Sequence, residues 1–216
     1  MPYIRFHLRF QSVKHFFTMI SEELLLKYDA ELKAYDKDEI IFKTYDNALF
    51  YYQIKSGKIK MNNVNTDGKE FIQSIFFEGQ SFGEPPLFAN IKYPAGAQAI
   101  IDSKIYRLPK QIFYDLLVAY PKMHFKTSEV LSLRLYYKAI MASEISSQEP
   151  EHRVLKLLDY MKKYIHHLDQ QETYQVDLTR QQIADLTGLR VETVIRACKA
   201  LEKKNEIKIA NRKIFR

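Results

Sequence analysis

The chain has 216 residues, of which 27% are charged, with a formal net charge of +7 and a single cysteine. That length holds one large or two modest domains, each with its own core, and the lone Cys198 excludes an intramolecular disulfide. The opening MPYIRFHLRFQSVKHFF interleaves Arg5, Arg9 and Lys14 with aromatics, unlike a secretory leader, and no run approaches the ~18 apolar residues of a membrane span, so a cytoplasmic protein with no membrane partner is expected.

In chain order, residues from about Leu24 to Tyr35 read as a short helix that Ser21 caps. After Asp38 the segments IIFKTYD, LFYYQIKSGKIKMNNV, KEFIQSIFFEGQSFGE and AQAIIDSKIYRL are rich in Ile, Phe, Tyr and Val. SGK, TDGK and EGQ punctuate them, and Asp67-Gly68 is a strong hairpin signal. The pattern predicts a compact antiparallel roll of the jelly-roll or cupin type. Helical spacing returns over Leu108 to Tyr120, and Pro121 marks a break or the first turn of the next helix.

From Lys122 to about Ser146 the chain has no Gly or Pro, which predicts one long helix. Val130, Leu133, Tyr137 and Ile140 step by three and four along it, a heptad seam. A second set, Phe125, Leu131 and Leu135, is expected to face the helix's own barrel. A helix apolar on two sides must be covered on two sides. The simplest cover for the seam is the same helix of a second copy, giving a homodimer; the alternative is a monomer whose C-terminal domain folds over it. Glu149-Pro150 then reads as a hinge before the helix EHRVLKLLDYMKKYIHHL.

The segment LTRQQIADLTGLRVETVIRACKALEKK, residues 178–204, has the spacing of a helix-turn-helix. Ile183, Ala184 and Thr187 share one face of the first helix, Gly188 sits where a left-handed turn costs least, and Val194, Cys198 and Leu201 fall at i, i+4, i+7 of the second. Glu192, Ile195, Arg196 and Lys199 then point outward. An Arg grips guanine O6 and N7, and a carboxylate accepts from cytosine N4, so this strip suits base reading in double-stranded DNA. A helical hairpin with a solvated charged face is the plain alternative. Charge supports the first reading: from Arg196 onward there are eight Lys/Arg against two Asp/Glu, a field that attracts phosphates. IKIANRKIFR predicts a two-stranded wing turning near Asn211, with Arg212, Lys213 and Arg216 close to phosphates.

A roll, a long helix and a winged helix-turn-helix, in that order, resemble the Crp/Fnr family of bacterial transcription regulators across nearly the whole chain. SGKIKM, TDGKEF and EGQSFGEPPLF resemble the family's nucleotide-binding-type roll, and TRQQIADLTGLRVETVIR resembles its DNA-binding signature, closest to the Fnr-like branch. The resemblance implies an α+β fold with an effector-type β-roll over 1–120, a dimerisation helix over 121–147 and a DNA-binding domain over 148–216. It implies a transcription regulator rather than an enzyme, with RNA polymerase as a further partner. Thr179, Arg180, Gln181, Arg190, Val191, Glu192, Ile195, Arg196, Lys199, Arg212 and Lys213 are the DNA-binding set it implies. Glu192 and Arg196 stand where the family reads the G·C pairs of a TGA-type half-site. Val191 replaces an extra base-reading Arg of the cyclic-AMP branch, and Ile195 stands where the Fnr-like branch often has Ser.

For the sensor half, Gly83 and Glu84 resemble the family's ribose-binding FGE motif. Pro94 and Ala95, however, replace the Arg-Ser pair that grips the cyclic phosphate, and Lys138 and Ala139 fall where a Thr-Ser pair meets adenine. Proline brings neither charge nor N–H, which argues against cyclic AMP, although Lys92 lies close by. A single Cys excludes an iron–sulfur cluster, which needs several thiolates. The six histidines show no ligand spacing, leaving haem open. With no His between 38 and 108, a cupin-type metalloenzyme lacks its ligands. Two alternatives remain: an unidentified small effector in the roll, or a ligand-independent architectural DNA-binding dimer.

Overall fold

The computed structural model describes residues 18–66, 68, 70–147 and 149–216. The N-terminal segment read against a leader and Asp67 of the expected hairpin lie outside them. The chain divides into two compact units, one ending at Glu129 and the next starting at Val130.

In the first unit, α1 (Glu22–Lys27) is capped by Ser21, whose side chain accepts from the Leu24 N–H at 3.3 Å. The helix expected to reach Tyr35 stops there. Asp29 turns left-handed at φ 57°, and β1 (Glu31–Tyr35) follows as a strand. The reason is tertiary: β1 pairs antiparallel with β8 (Ser103–Pro109), with Leu32 opposite Tyr106, and this pairing outweighs the local helix propensity of ELKAY.

The other strands are β2 (Ile40–Phe42), β3 (Phe50–Ser56), β4 (Lys58–Val64), β5 (Glu70–Phe77), β6 (Ser81–Phe82) and β7 (Gly96–Ala99). They form two four-stranded antiparallel sheets, ordered β1-β8-β3-β6 and β2-β7-β4-β5, the expected roll. The β-branched and aromatic content of these runs suits a pleated surface with one buried face. Helix α2 (Glu84–Ala89) interrupts the strands, and α3 (Lys110–Ala119) follows β8 directly. Tyr51 of β3 and Phe113 of α3, both fully buried, stack at 4.2 Å and fix that helix on the sheet. Gln53 acts as a substitute strand neighbour: its side chain accepts from the Ile20 N–H at 2.9 Å and donates to the Ile20 carbonyl at 2.8 Å. Both backbone groups are thereby satisfied inside the core.

Helix α4 (Pro121–Ser147) begins at the proline itself and contains the division between the units. Its burial does not separate into the two expected stripes, and Leu131 of the second set is half-buried. Tyr137, assigned to the seam, is 8% exposed and stacks on Tyr160 of its own chain at 4.0 Å, while Val130, Leu133 and Ile140 are half-buried. Phe125 and Leu135, expected to pack inward, are 77% and 69% exposed. The seam residues step by three and four, whereas Phe125, Leu131 and Leu135 step by six and four. Periodicity locates them without saying which of them the same chain covers.

The second unit continues with α5 (Pro150–Tyr160), a π-helical turn over Met161–Ile165, α6 (Arg180–Thr187) and α7 (Val191–Lys203). A hairpin of β9 (Lys208–Ala210) and β10 (Lys213–Phe215) completes it. Its core is Val154, Leu157 and Leu158 of α5 against Ile183, Ala184, Val194, Cys198 and Leu201. The wing has a third, short member that the pattern did not predict. Tyr174 and Arg216 exchange two backbone hydrogen bonds, and the Val176 N–H donates to the Ile214 carbonyl at 2.9 Å.

Candidate nucleic-acid interface

Two helices joined by a three-residue turn build this surface. Thr179 and Gln182 form a reciprocal capping box at the start of α6: the Thr179 oxygen accepts from the Gln182 N–H at 3.0 Å, and the Thr179 N–H donates to the Gln182 side chain at 2.9 Å. A hydroxyl with one acceptor site used keeps its own proton free to donate, so Thr179 remains able to meet a phosphate. At the other end Gly188 adopts φ 68°, and its N–H caps α6 by donating to the Ala184 carbonyl. Thr187 is buried and closes the turn with a hydroxyl donation to the Ile183 carbonyl at 2.6 Å.

Helix α7 starts differently. Its N-cap is Arg190, whose side chain has no acceptor atom and makes no capping bond. The Thr193 N–H donates to the Arg190 carbonyl at 3.0 Å, so the N–H groups of Val191 and Glu192, with the helix dipole, are what this end can offer an anion. Beyond it, Val194, Ala197, Cys198 and Leu201 are buried and Glu192, Ile195, Arg196 and Lys199 are exposed, the division expected from the spacing. Among the described residues, the polar contact along that exposed strip is a long one, Arg196 Nη2 to Thr193 Oγ1 at 3.5 Å. Burial pushes the Cys198 thiol up from its ordinary range, against a smaller opposite pull from Arg180.

Around the strip, Gln181 is exposed and donates to Asp185 at 2.8 Å, and Arg180 and Val191 are half-buried. Arg212 and Lys213 are exposed on the wing. The wing turns through Asn211 at φ 49° and Arg212 at φ 63°, the two left-handed residues of a two-residue hairpin turn. Arg216 does not join these exposed cations. It donates to Asp159 at 2.7 Å and to both the side chain and the carbonyl of Glu206, so its charge is spent inside the unit.

The sensor residues are arranged unlike a phosphate site. Gly83 is left-handed at φ 76°, and a Cβ there would meet Tyr93 at 3.2 Å and Phe42 at 3.3 Å. Those two rings stack at 3.7 Å and continue through Phe82, Tyr52 and Phe76 as one aromatic cluster. Glu84 is buried at the start of α2; Ala95 is buried and Pro94 exposed, its carbonyl accepting from Asn63 at 2.8 Å. Residues 93–96 thus bring no cationic side chain, and the residues present do not fit a cyclic phosphate. Lys138 is exposed and belongs to the second unit. No cluster of three metal-ligating side chains occurs among the described residues, and no described helix is long and apolar enough to cross a membrane.

A family model for the cyclic nucleotide-binding domain matches residues 32–120, and one for the Crp-like helix-turn-helix domain matches residues 152–215. The chain belongs to the Crp/Fnr family of transcription regulators. Among Crp/Fnr relatives, the anaerobic regulatory protein of Pasteurella multocida is 27% identical over 172 residues, covering 79% of this chain and 63% of its own length. The chain thus spans less than two thirds of that relative. The cAMP-activated global transcriptional regulator CRP of Haemophilus influenzae is also 27% identical over 172 residues, covering 79% of this chain and 76% of its own. Both are regulators rather than enzymes. The fold recurs in FixK2 from Bradyrhizobium japonicum, with a TM-score of 0.70 at 22% identity over 86% of this chain and 91% of that one. A CooA mutant from Carboxydothermus hydrogenoformans gives 0.72 at 18% over 88% and 84%.

Proposed function

We propose that this Crp/Fnr chain is a cytoplasmic homodimer that binds an inverted repeat in double-stranded DNA, with TGA-like half-sites about one helical turn apart. The observation that carries it is the exposed strip Glu192–Arg196–Lys199 on α7, almost free of internal partners, beside an uncapped helix N-terminus and a cationic wing tip. Glu192 and Arg196 read base edges, Ile195 lies against a thymine methyl, and Val191 leaves the readout short of a longer TGTGA element. Thr179, Arg180, Gln181, Arg190, Lys199, Arg212 and Lys213 hold phosphates and set the register.

The dimer contact extends from the half-buried seam residues Val130, Leu133 and Ile140 to the exposed side of α4. Ser128, Ser132, Leu135, Ala139 and Ala142 are exposed and step by four, three, four and three, a heptad row with Leu135 at its centre. Such a row of small residues around one exposed Leu lets the same helix of a second copy approach closely. The aromatic filling of the roll and the missing cation at Pro94-Ala95 favour an effector other than a cyclic nucleotide, or none; RNA polymerase is the expected further partner.

Selection of bound duplexes from a random library tests the reading. A palindromic consensus with TGA-like halves is expected, and sedimentation of the free chain should give a dimer. A single, non-palindromic site bound by a monomer would overturn it.

A further inference from the structure

The C-terminal end of α4 and the C-terminal end of α6 meet at one buried cation. Arg153 on α5 is 8% exposed, and its guanidinium donates to the Thr187 carbonyl at 3.2 Å and to the Glu144 and Ile145 carbonyls at 3.4 and 3.3 Å. Among the described residues no carboxylate is its partner, and its Nε has none. A desolvated charge normally demands an opposite charge. Here the compensation comes from the last-turn carbonyls of two helices, where the backbone lacks intrahelical donors and the dipole is negative. A planar fork of donors can span two such ends at once, which an ammonium cannot.

We infer that Arg153 is a positioning residue: it locks the direction of the helix-turn-helix relative to the end of the dimer helix, and thereby sets the half-site spacing that the two recognition helices accept. This rests on the dimeric reading above. Three features support it. The bonds reach α4 within its last turn, next to Glu149-Pro150, where the chain would otherwise swivel. They reach α6 at Thr187, the residue before the Gly188 turn that aims α7. And Tyr137–Tyr160 stacking joins α4 to α5 alone, so Arg153 adds the connection from the long helix to the DNA-reading pair. Because α4 also carries the dimer stripe, a rotation at this joint would move both recognition helices against the duplex.

The test uses the full chain and three duplex types: an inverted repeat of TGA half-sites one turn apart, the same repeat with two base pairs inserted, and a single half-site. Two base pairs rotate one half-site by about 70° around the duplex axis, so a rigid dimer loses its second contact. Wild type should therefore prefer the one-turn repeat over the inserted one by at least about tenfold, and Arg153→Met should narrow that preference to about threefold or less while single half-site affinity stays within about twofold. Arg153→Lys, which keeps the charge but loses the fork, should fall between, and it serves if the Met variant does not fold. An unchanged preference in the folded variants would overturn the role. So would equal losses on all three duplexes, which would mark a purely structural residue. A wild-type chain indifferent to the insertion would instead overturn the dimeric reading, and Arg153's role with it.

Discussion

The recognition helix and the β-roll use side chains in opposite ways. On α7 the polar groups that matter stand on the surface with their bonding capacity unspent, above a row of small and medium apolar residues. In the roll the large rings of Phe42, Tyr52, Phe82 and Tyr93 turn inward and occupy the space around Gly83. Substitutions on the first surface should change what is bound while leaving the fold alone. Substitutions in the second should change the fold while leaving the base preference alone.

The sharpest way to break that contrast is Phe42→Ala. Phe42 is 5% exposed and stacked on Tyr93, so removing its ring should cost about 3–5 kcal/mol in a urea melt while the selected half-site stays the same. A change in base preference would mean that the roll reaches the DNA-reading surface. Next comes alkaline titration. Burial raises the Tyr52 phenol from 10.0 to about 12, so the folded chain holds that proton over a range where the unfolded chain has released it. Its contribution, about 2–3 kcal/mol, should be intact below pH 10 and vanish between pH 10 and about 12. Melts against pH, followed by tyrosinate absorbance, check the direction; stability rising over that window would contradict it. Arg196→Ala should weaken the cognate duplex by about 1–3 kcal/mol and relax one base position, with the melt unchanged. Equal losses on specific and random DNA would reassign Arg196 to phosphate. The smallest effect is Thr179→Ala: losing its capping box should cost about 1 kcal/mol of stability.

The same contrast explains what could be read without coordinates. The exposed strip of α7 was legible because one amphipathic period and a left-handed glycine before the helix point one way. The two sheets were legible from their turn residues and aromatic runs. The burial along α4 was not, since the ring that covers Tyr137, Tyr160, lies on another element outside any local window. Residues 31–35 turned to strand through pairing with β8, a partner some seventy residues away that no local window contains. Tyr174–Val176 is too short to register as a strand, and Arg216 looked available because its carboxylate partners, Asp159 and Glu206, are remote in sequence or on another element.

Cys198 is the chain's single sulfhydryl, and it lies 1% exposed beneath the recognition helix. A thiol so enclosed reacts with an alkylating reagent only when that helix lifts. The rate of modification thus reports how often α7 detaches from the helices beneath it, and a duplex bound along α7 should slow it.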